Sequence, residues 1–143
     1  MIYSNDFIKF ELIENNSIIL ITVLKDIPTR EEYNNFIIQL DNLYNAYSNN
    51  NNNFSLLCDV RELGIVPLSY INEIKNFFVN KKEQTEHILN STSIISTSMT
   101  VRSLFNGFLT IYTTIKPVKF VSTIDEALEF IKSIKSGERT LLN

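Results

Sequence analysis

Asp59, Arg61, Ser69, Ser96, Thr97, Ser98, Thr100 and Arg102 are the residues of this chain whose types and spacing suit chemistry. A guanidinium beside a run of hydroxyls is an anion-binding composition, because both kinds of group donate hydrogen bonds to oxyanions. Arg102 carries the argument. It falls in the first turn of an expected helix, where a cation opposes the helix dipole. Two readings account for it. Either an anion sits between Arg102, the free amides of the helix start and the hydroxyls of Ser98 and Thr100, or the hydroxyls are caps and turns and Arg102 pairs with a carboxylate such as Asp59 or Glu62. Ser69 is open in the same way. It reads as a helix N-cap contributing roughly 1 kcal/mol, and also as a phosphoacceptor whose added charge a helix N-terminus tolerates.

Other chemistries lack their parts. The glycines are Gly64, Gly107 and Gly137, which build neither a dinucleotide fingerprint nor a phosphate-cradling loop. The single histidine, His87, has no histidine or cysteine neighbours, so no metal site and no Ser-His-Asp arrangement is expected around it. The single cysteine, Cys58, lies in an apolar run and reads as a small core residue. No cofactor is implied, and the chain is expected not to be an enzyme.

Composition bounds the partners. The net charge is −3, with 44% hydrophobic and 20% charged residues, an ordinary globular composition without the basic face a nucleic-acid backbone requires. The longest aliphatic run, Ile18 to Leu24, is far too short to cross a bilayer. The N-terminus lacks the order of a secretion signal, and a lone cysteine suits a reducing compartment, so the cytoplasm is the expected location.

These residues need elements to hold them. Ile8, Phe10 and Leu12 alternate with Lys9 and Glu11, the pattern of a half-buried strand. Glu14-Asn15-Asn16-Ser17 is a turn, and the apolar run from Ile18 to Val23 is a strand covered on both faces. Thr29 with Glu32 has capping-box spacing and opens a helix whose stripe is Tyr33, Phe36, Ile37, Leu40, Leu43, Tyr44 and Tyr47. The asparagines from Asn49 to Asn53 end it. Phe54 to Val60 is the third strand. A second helix starts near Ser69 and buries Ile71, Ile74, Phe77 and Phe78, with Lys81 to Glu86 projecting into solvent.

Ser93 to Thr97 is a fourth strand. Thr100 caps a third helix that buries Val101, Leu104, Phe105, Phe108, Ile111 and Tyr112. Val118 to Val121 is the fifth strand, and Thr123 with Glu126 caps the last helix, buried through Ile124, Ala127, Leu128, Ile131 and Ile134. The expectation is one layered α/β domain over 1–143, with its core about 8–135 and a flexible tail at 136–143. Its sheet is mixed, mostly parallel and five-stranded, with four helices in the order β-β-α-β-α-β-α-β-α. Ligands of such sheets collect beyond the C-terminal strand ends, where the polar residues above all map. Phe77, Phe78, Phe105 and Phe108, on two consecutive helices, outline a further apolar groove for a partner or a lipid-like molecule.

This order, with Pro117-Val118-Lys119-Phe120-Val121-Ser122-Thr123-Ile124-Asp125-Glu126-Ala127 as its late strand-cap-helix, resembles the STAS domain family. That family includes the anti-sigma factor antagonists. The likeness runs from about Ile8 to Ile134. It implies a non-enzymatic regulatory or signalling domain acting through protein–protein contact, with a kinase-like regulator as a partner. The antagonists carry a phosphorylated serine or threonine at the start of the helix after the third strand. By this resemblance Ser69 is that position, although Pro67-Leu68 and Tyr70 stand where the family has an acidic residue and a glycine. The alternative is a small-molecule domain that binds an anionic or lipid-like ligand at the rim lined by Asp59, Arg61, Ser98, Thr100 and Arg102. A monomer or weak homodimer is expected, since the edge strand Ile8 to Leu12 could pair with its copy but carries Lys9 and Glu11.

Overall fold

The computed structural model describes residues 2–103, 105 and 116–135. Leu104, Phe108, Ile111 and Tyr112 of the third expected helix lie outside the described residues, as does the tail 136–143. The elements are β1 (Tyr3–Ser4), β2 (Ile8–Ile13), β3 (Ile18–Val23), α1 (Arg30–Asn49), β4 (Phe54–Asp59), α2 (Leu68–Asn80), α3 (Lys82–Ile88) and β5 (Leu89–Ile95), then β6 (Val118–Val121) and α5 (Ile124–Lys135). Between β5 and β6 the backbone is helical over 99–103, labelled α4.

The strands form one six-stranded sheet in sequence order, β1 to β6. β1, β2 and β3 are antiparallel neighbours, whereas β3, β4, β5 and β6 run parallel. Right-handed crossovers that always step in the same direction must pass over the same face. Accordingly α1, α2 and α3 cover one face, with Phe105 beyond α4 packed on it too. The helix after the last strand takes the other face, where Ala127, Phe130 and Ile131 meet Ile18, Leu57, Ile95 and Val121.

Local chemistry explains the joints. Glu14, Asn15 and Asn16 all adopt left-handed backbone, with φ of 50°, 58° and 64°, and close the β2–β3 hairpin between Ile13 and Ile18. Thr29 and Glu32 form the full capping box, at 3.1 and 2.8 Å. The asparagine run has a structural use. Asn51, at φ 55°, is the left-handed residue of a Schellman stop, with Asn52 N–H on the Tyr47 carbonyl (3.0 Å) and Asn51 N–H on that of Ser48 (3.3 Å). At α5, Thr123 Oγ1 accepts from Glu126 N–H at 3.1 Å, and the Glu126 carboxylate accepts from the Thr123 hydroxyl.

Several expectations are corrected. Among the described residues the sheet has six strands, because the two-residue β1 pairs outside β2, and there are five helices, because α3 separates from α2 at Lys81. The segment Ile8 to Leu12 is therefore not the edge. Lys81 to Glu86 does not project into solvent: the chain turns at Lys81, and α3 buries Thr85 and Ile88 against α1. Thr85 holds the break, its hydroxyl on the Lys81 carbonyl at 2.8 Å and 3.2 Å from the Tyr44 hydroxyl. β5 begins at Leu89 rather than Ser93, since Ser91 and Thr92 are buried strand residues despite their hydroxyls. Ser91 spends its hydroxyl on Ser55 at 3.1 Å.

Candidate functional site

The loops after β3, β4, β5 and β6 converge at one rim, at the C-terminal ends of the parallel strands. Gly64 ties two of them together. Its N–H donates to the Asp26 carbonyl at 2.8 Å, and a Cβ at Gly64 would stand 3.1 Å from Asp26 Cβ, so only glycine fits without a shift.

Asp59 ends β4 and is held by Arg61. Arg61 Nε and Nη2 donate to its two carboxylate oxygens at 2.9 and 2.7 Å, and the Arg61 N–H adds a third bond at 3.2 Å. These bonds hold the Asp59 carboxyl below the usual carboxylate range, against the opposing effect of partial burial. Asp59 and Arg61 thus meet as a pair.

Ser69 is exposed, one residue into α2. It is not the cap: Pro67 occupies the N-cap position, with ψ 141° and no side chain to donate or accept. The pyrrolidine ring presets the chain to enter the helix without a hydroxyl. On either side of Pro67, Ile65 and Leu68 leave 65% and 66% of their surfaces exposed.

Ser98, not Thr100, caps α4. Its Oγ accepts from the Val101 N–H at 3.2 Å, while Thr100 is exposed in the first helical turn. Ser96 is buried, its Oγ accepting from the Ser98 N–H at 3.3 Å. Arg102 turns back onto the sheet. Its Nη2 donates to the Ser96 carbonyl at 2.6 Å and the Val121 carbonyl at 3.4 Å, and its guanidinium lies 5.3 Å from the Phe120 ring centre. The acceptors are carbonyls at the ends of neighbouring parallel strands, where the ladder leaves lone pairs over. They give a cation in a first turn its compensation. Arg102 Nε is buried and has no partner among the described residues.

The sheet face under α1 and α2 has a second feature. An apolar cavity of about 130 Å³ lies there, floored by Ile21, Leu56, Cys58, Thr92 and Ile94, and roofed by Tyr33, Phe36 and Leu40 of α1 and Ile71, Ile74 and Phe78 of α2. Register explains the hollow. Across the sheet Cys58 stands between Ile21 and Ile94, and Thr92 between Leu56 and Val118, so two small side chains occupy the middle of the floor. Cys58 keeps some accessible surface although its strand is covered on both faces, and it lines the cavity. Burial, reinforced by Asp59, pushes its thiol up to about 12, so it is a neutral wall group and not a nucleophile. The Tyr33 hydroxyl is taken by the Tyr70 carbonyl, and burial holds its phenol well above the ordinary tyrosine range.

Of the aromatic groove expected from sequence, Phe78 and Phe105 line this cavity. Phe77 packs edge-on to Tyr44 at 5.4 Å, and Phe108 lies outside the described residues. The stripes of α1 and α2 were visible in their spacing. That they stop short of filling the floor left no mark in it. Among the described residues no helix is long and apolar enough to cross a membrane, and no group of three or more His, Cys, Asp or Glu could hold a metal ion.

No protein-family model and no curated protein sequence matches the chain. Among solved structures it is similar to an uncharacterized protein of the DUF3478 family with a SpoIIAA-like fold from Shewanella loihica PV-4, at a TM-score of 0.61 and 15% identity over 87% of this chain and 91% of that one. The chain therefore has a SpoIIAA-like, STAS-like α/β fold.

Proposed function

We propose that this STAS-like chain is a non-enzymatic regulatory domain that works through contact with a protein partner at the rim after β4, with Ser69 as the phosphorylated position. The observation that carries the reading is the segment Ile65 to Ser69. It sets two exposed large hydrophobic residues on either side of Pro67 and an exposed hydroxyl directly after them. Exposed apolar side chains grouped at one loop favour protein contact. A phosphate at Ser69 would enter the first turn of α2, which holds no acidic residue and so offers its positive end unopposed. Arg30 lies over the ring of the neighbouring Tyr70, 4.4 Å from its centre, with its charge paired to Glu73 at 2.8 Å. A kinase-like regulator is the partner class that this chemistry fits.

The test is recovery of the tagged chain from its native cells. A stoichiometric partner is expected with the wild type. Leu68→Asp should abolish its recovery, and Ser69→Asp should change it at least several-fold relative to Ser69→Ala. Purification of the chain alone, or a partner retained equally by Leu68→Asp, overturns the reading.

A further inference from the structure

We propose that the cavity between α1, α2 and the sheet is a binding site for one uncharged hydrocarbon group of about six to eight carbons, a ring or the end of a short chain. The inference is independent of the role given to Ser69, because it rests on a different set of residues.

Size comes first. A cavity of about 130 Å³ is close to the engineered apolar void of ~150 Å³ that stays dry and takes up benzene or xenon. Chemistry then narrows the ligand. The surface facing the space is apolar throughout. Tyr33 reaches it with a hydroxyl already bonded to the Tyr70 carbonyl, and Cys58 offers a thiol. Among the described residues no charged side chain lines it. A carboxylate or phosphate placed inside would be stripped of water with nothing to replace it, so the part of any ligand within the cavity is uncharged. Pro28, Leu63 and Val66, from the loops after β3 and β4, form the wall toward the rim. A polar end of a longer molecule has its route to water on that side.

The floor supplies the selectivity. Cys58 and Thr92 are small where their row neighbours are Ile21, Ile94 and Leu56, so the hollow is written into two positions. Filling either should close the site, and truncating the roof should enlarge it.

The experiment is thermal unfolding of the full chain with toluene, 1-octanol and octanoate as probes. Toluene or 1-octanol at ten times its Kd should raise Tm by about 3 °C or more. A tenfold preference for toluene identifies a free ring compound as the ligand type, and a tenfold preference for 1-octanol identifies a chain end. Octanoate should bind no more tightly than 1-octanol. Cys58→Leu should remove the shift, and Ile74→Ala should move the preference toward a longer alcohol such as 1-decanol. The Ile74→Ala result decides the matter alone should Cys58→Leu fail to fold. No shift with either neutral probe overturns the proposal, as does octanoate outranking 1-octanol or an unchanged preference in Ile74→Ala.

Discussion

Tyr33 and Tyr70 lie ring on ring, their centres 4.4 Å apart and their planes 9° from parallel, and the Tyr33 hydroxyl donates to the Tyr70 backbone carbonyl. This contact joins the first turns of α1 and α2 at the end of the cavity roof. Arg30 extends it, over the Tyr70 ring and bonded to both Glu73 oxygens at 2.8 Å. Tyr33→Phe keeps the stack and deletes the donor, removing a buried tertiary bond to a carbonyl of α2. A loss of about 1–2 kcal/mol is expected in urea unfolding. Arg30→Ala, which removes an exposed ion pair, should cost less than about 1 kcal/mol.

Arg102 should behave as a bond to carbonyls and not as an ion pair. Arg102→Met keeps the stem and removes the donors to Ser96 and Val121, for a loss of about 1.5–3 kcal/mol. Salt should barely change that loss, since the partners of Arg102 among the described residues are carbonyls and not carboxylates. A cost that vanishes in 1 M NaCl would mean that a charged partner holds Arg102 instead.

The Asp59–Arg61 pair has a pH signature. Arg61 lowers the Asp59 carboxyl in the folded chain, so the unfolded chain takes up that proton first as pH falls. The pair's stabilisation is thus complete above about pH 4, the ordinary carboxylate value, and disappears as pH drops through the lower folded value. Asp59→Asn should be less stable than wild type by up to about 1 kcal/mol at pH 6, because Arg61 is largely exposed. The gap should narrow toward pH 3. A gap that stays constant with pH would refute the pairing.

Asn51 stops α1 in a left-handed conformation, which glycine adopts freely and alanine does not. Asn51→Ala should cost about 1 kcal/mol or more, and Asn51→Gly should be neutral or slightly stabilising. Thermal unfolding of the two variants side by side measures it. Equal destabilisation by both would show that the asparagine side chain, not the backbone, ends the helix.

Much of the frame was legible because its signals are local. The Thr29–Glu32 box, the β2–β3 turn and the apolar stripes of α1 and α5 depend on neighbours one to four residues away. So did the parallel order, once strands alternated with helices. β5 was read as starting at Ser93 and not Leu89 for a physical reason: Ser91 and Thr92 are polar by type, and what makes them strand residues is burial. Ser91 bonds Ser55, and Ser93 donates to the Ala127 carbonyl, 34 residues away. Helix α3 was misjudged likewise, through a threonine that counts as polar until Tyr44 and the Lys81 carbonyl take its hydroxyl.

The site divides along the same line. Sequence alone placed Asp59, Arg61, Ser69, Ser98 and Arg102 each just after a strand or at a helix start. Only the tertiary structure decided their partners. Arg102 reaches the Val121 carbonyl 19 residues away, and no spacing rule connects an arginine to the end of the next strand. The cavity belongs wholly to that second kind. It exists because Cys58 and Thr92 are small on adjacent strands beneath two helices that do not descend to meet them. A void is a property of how surfaces meet, and no single segment encodes it.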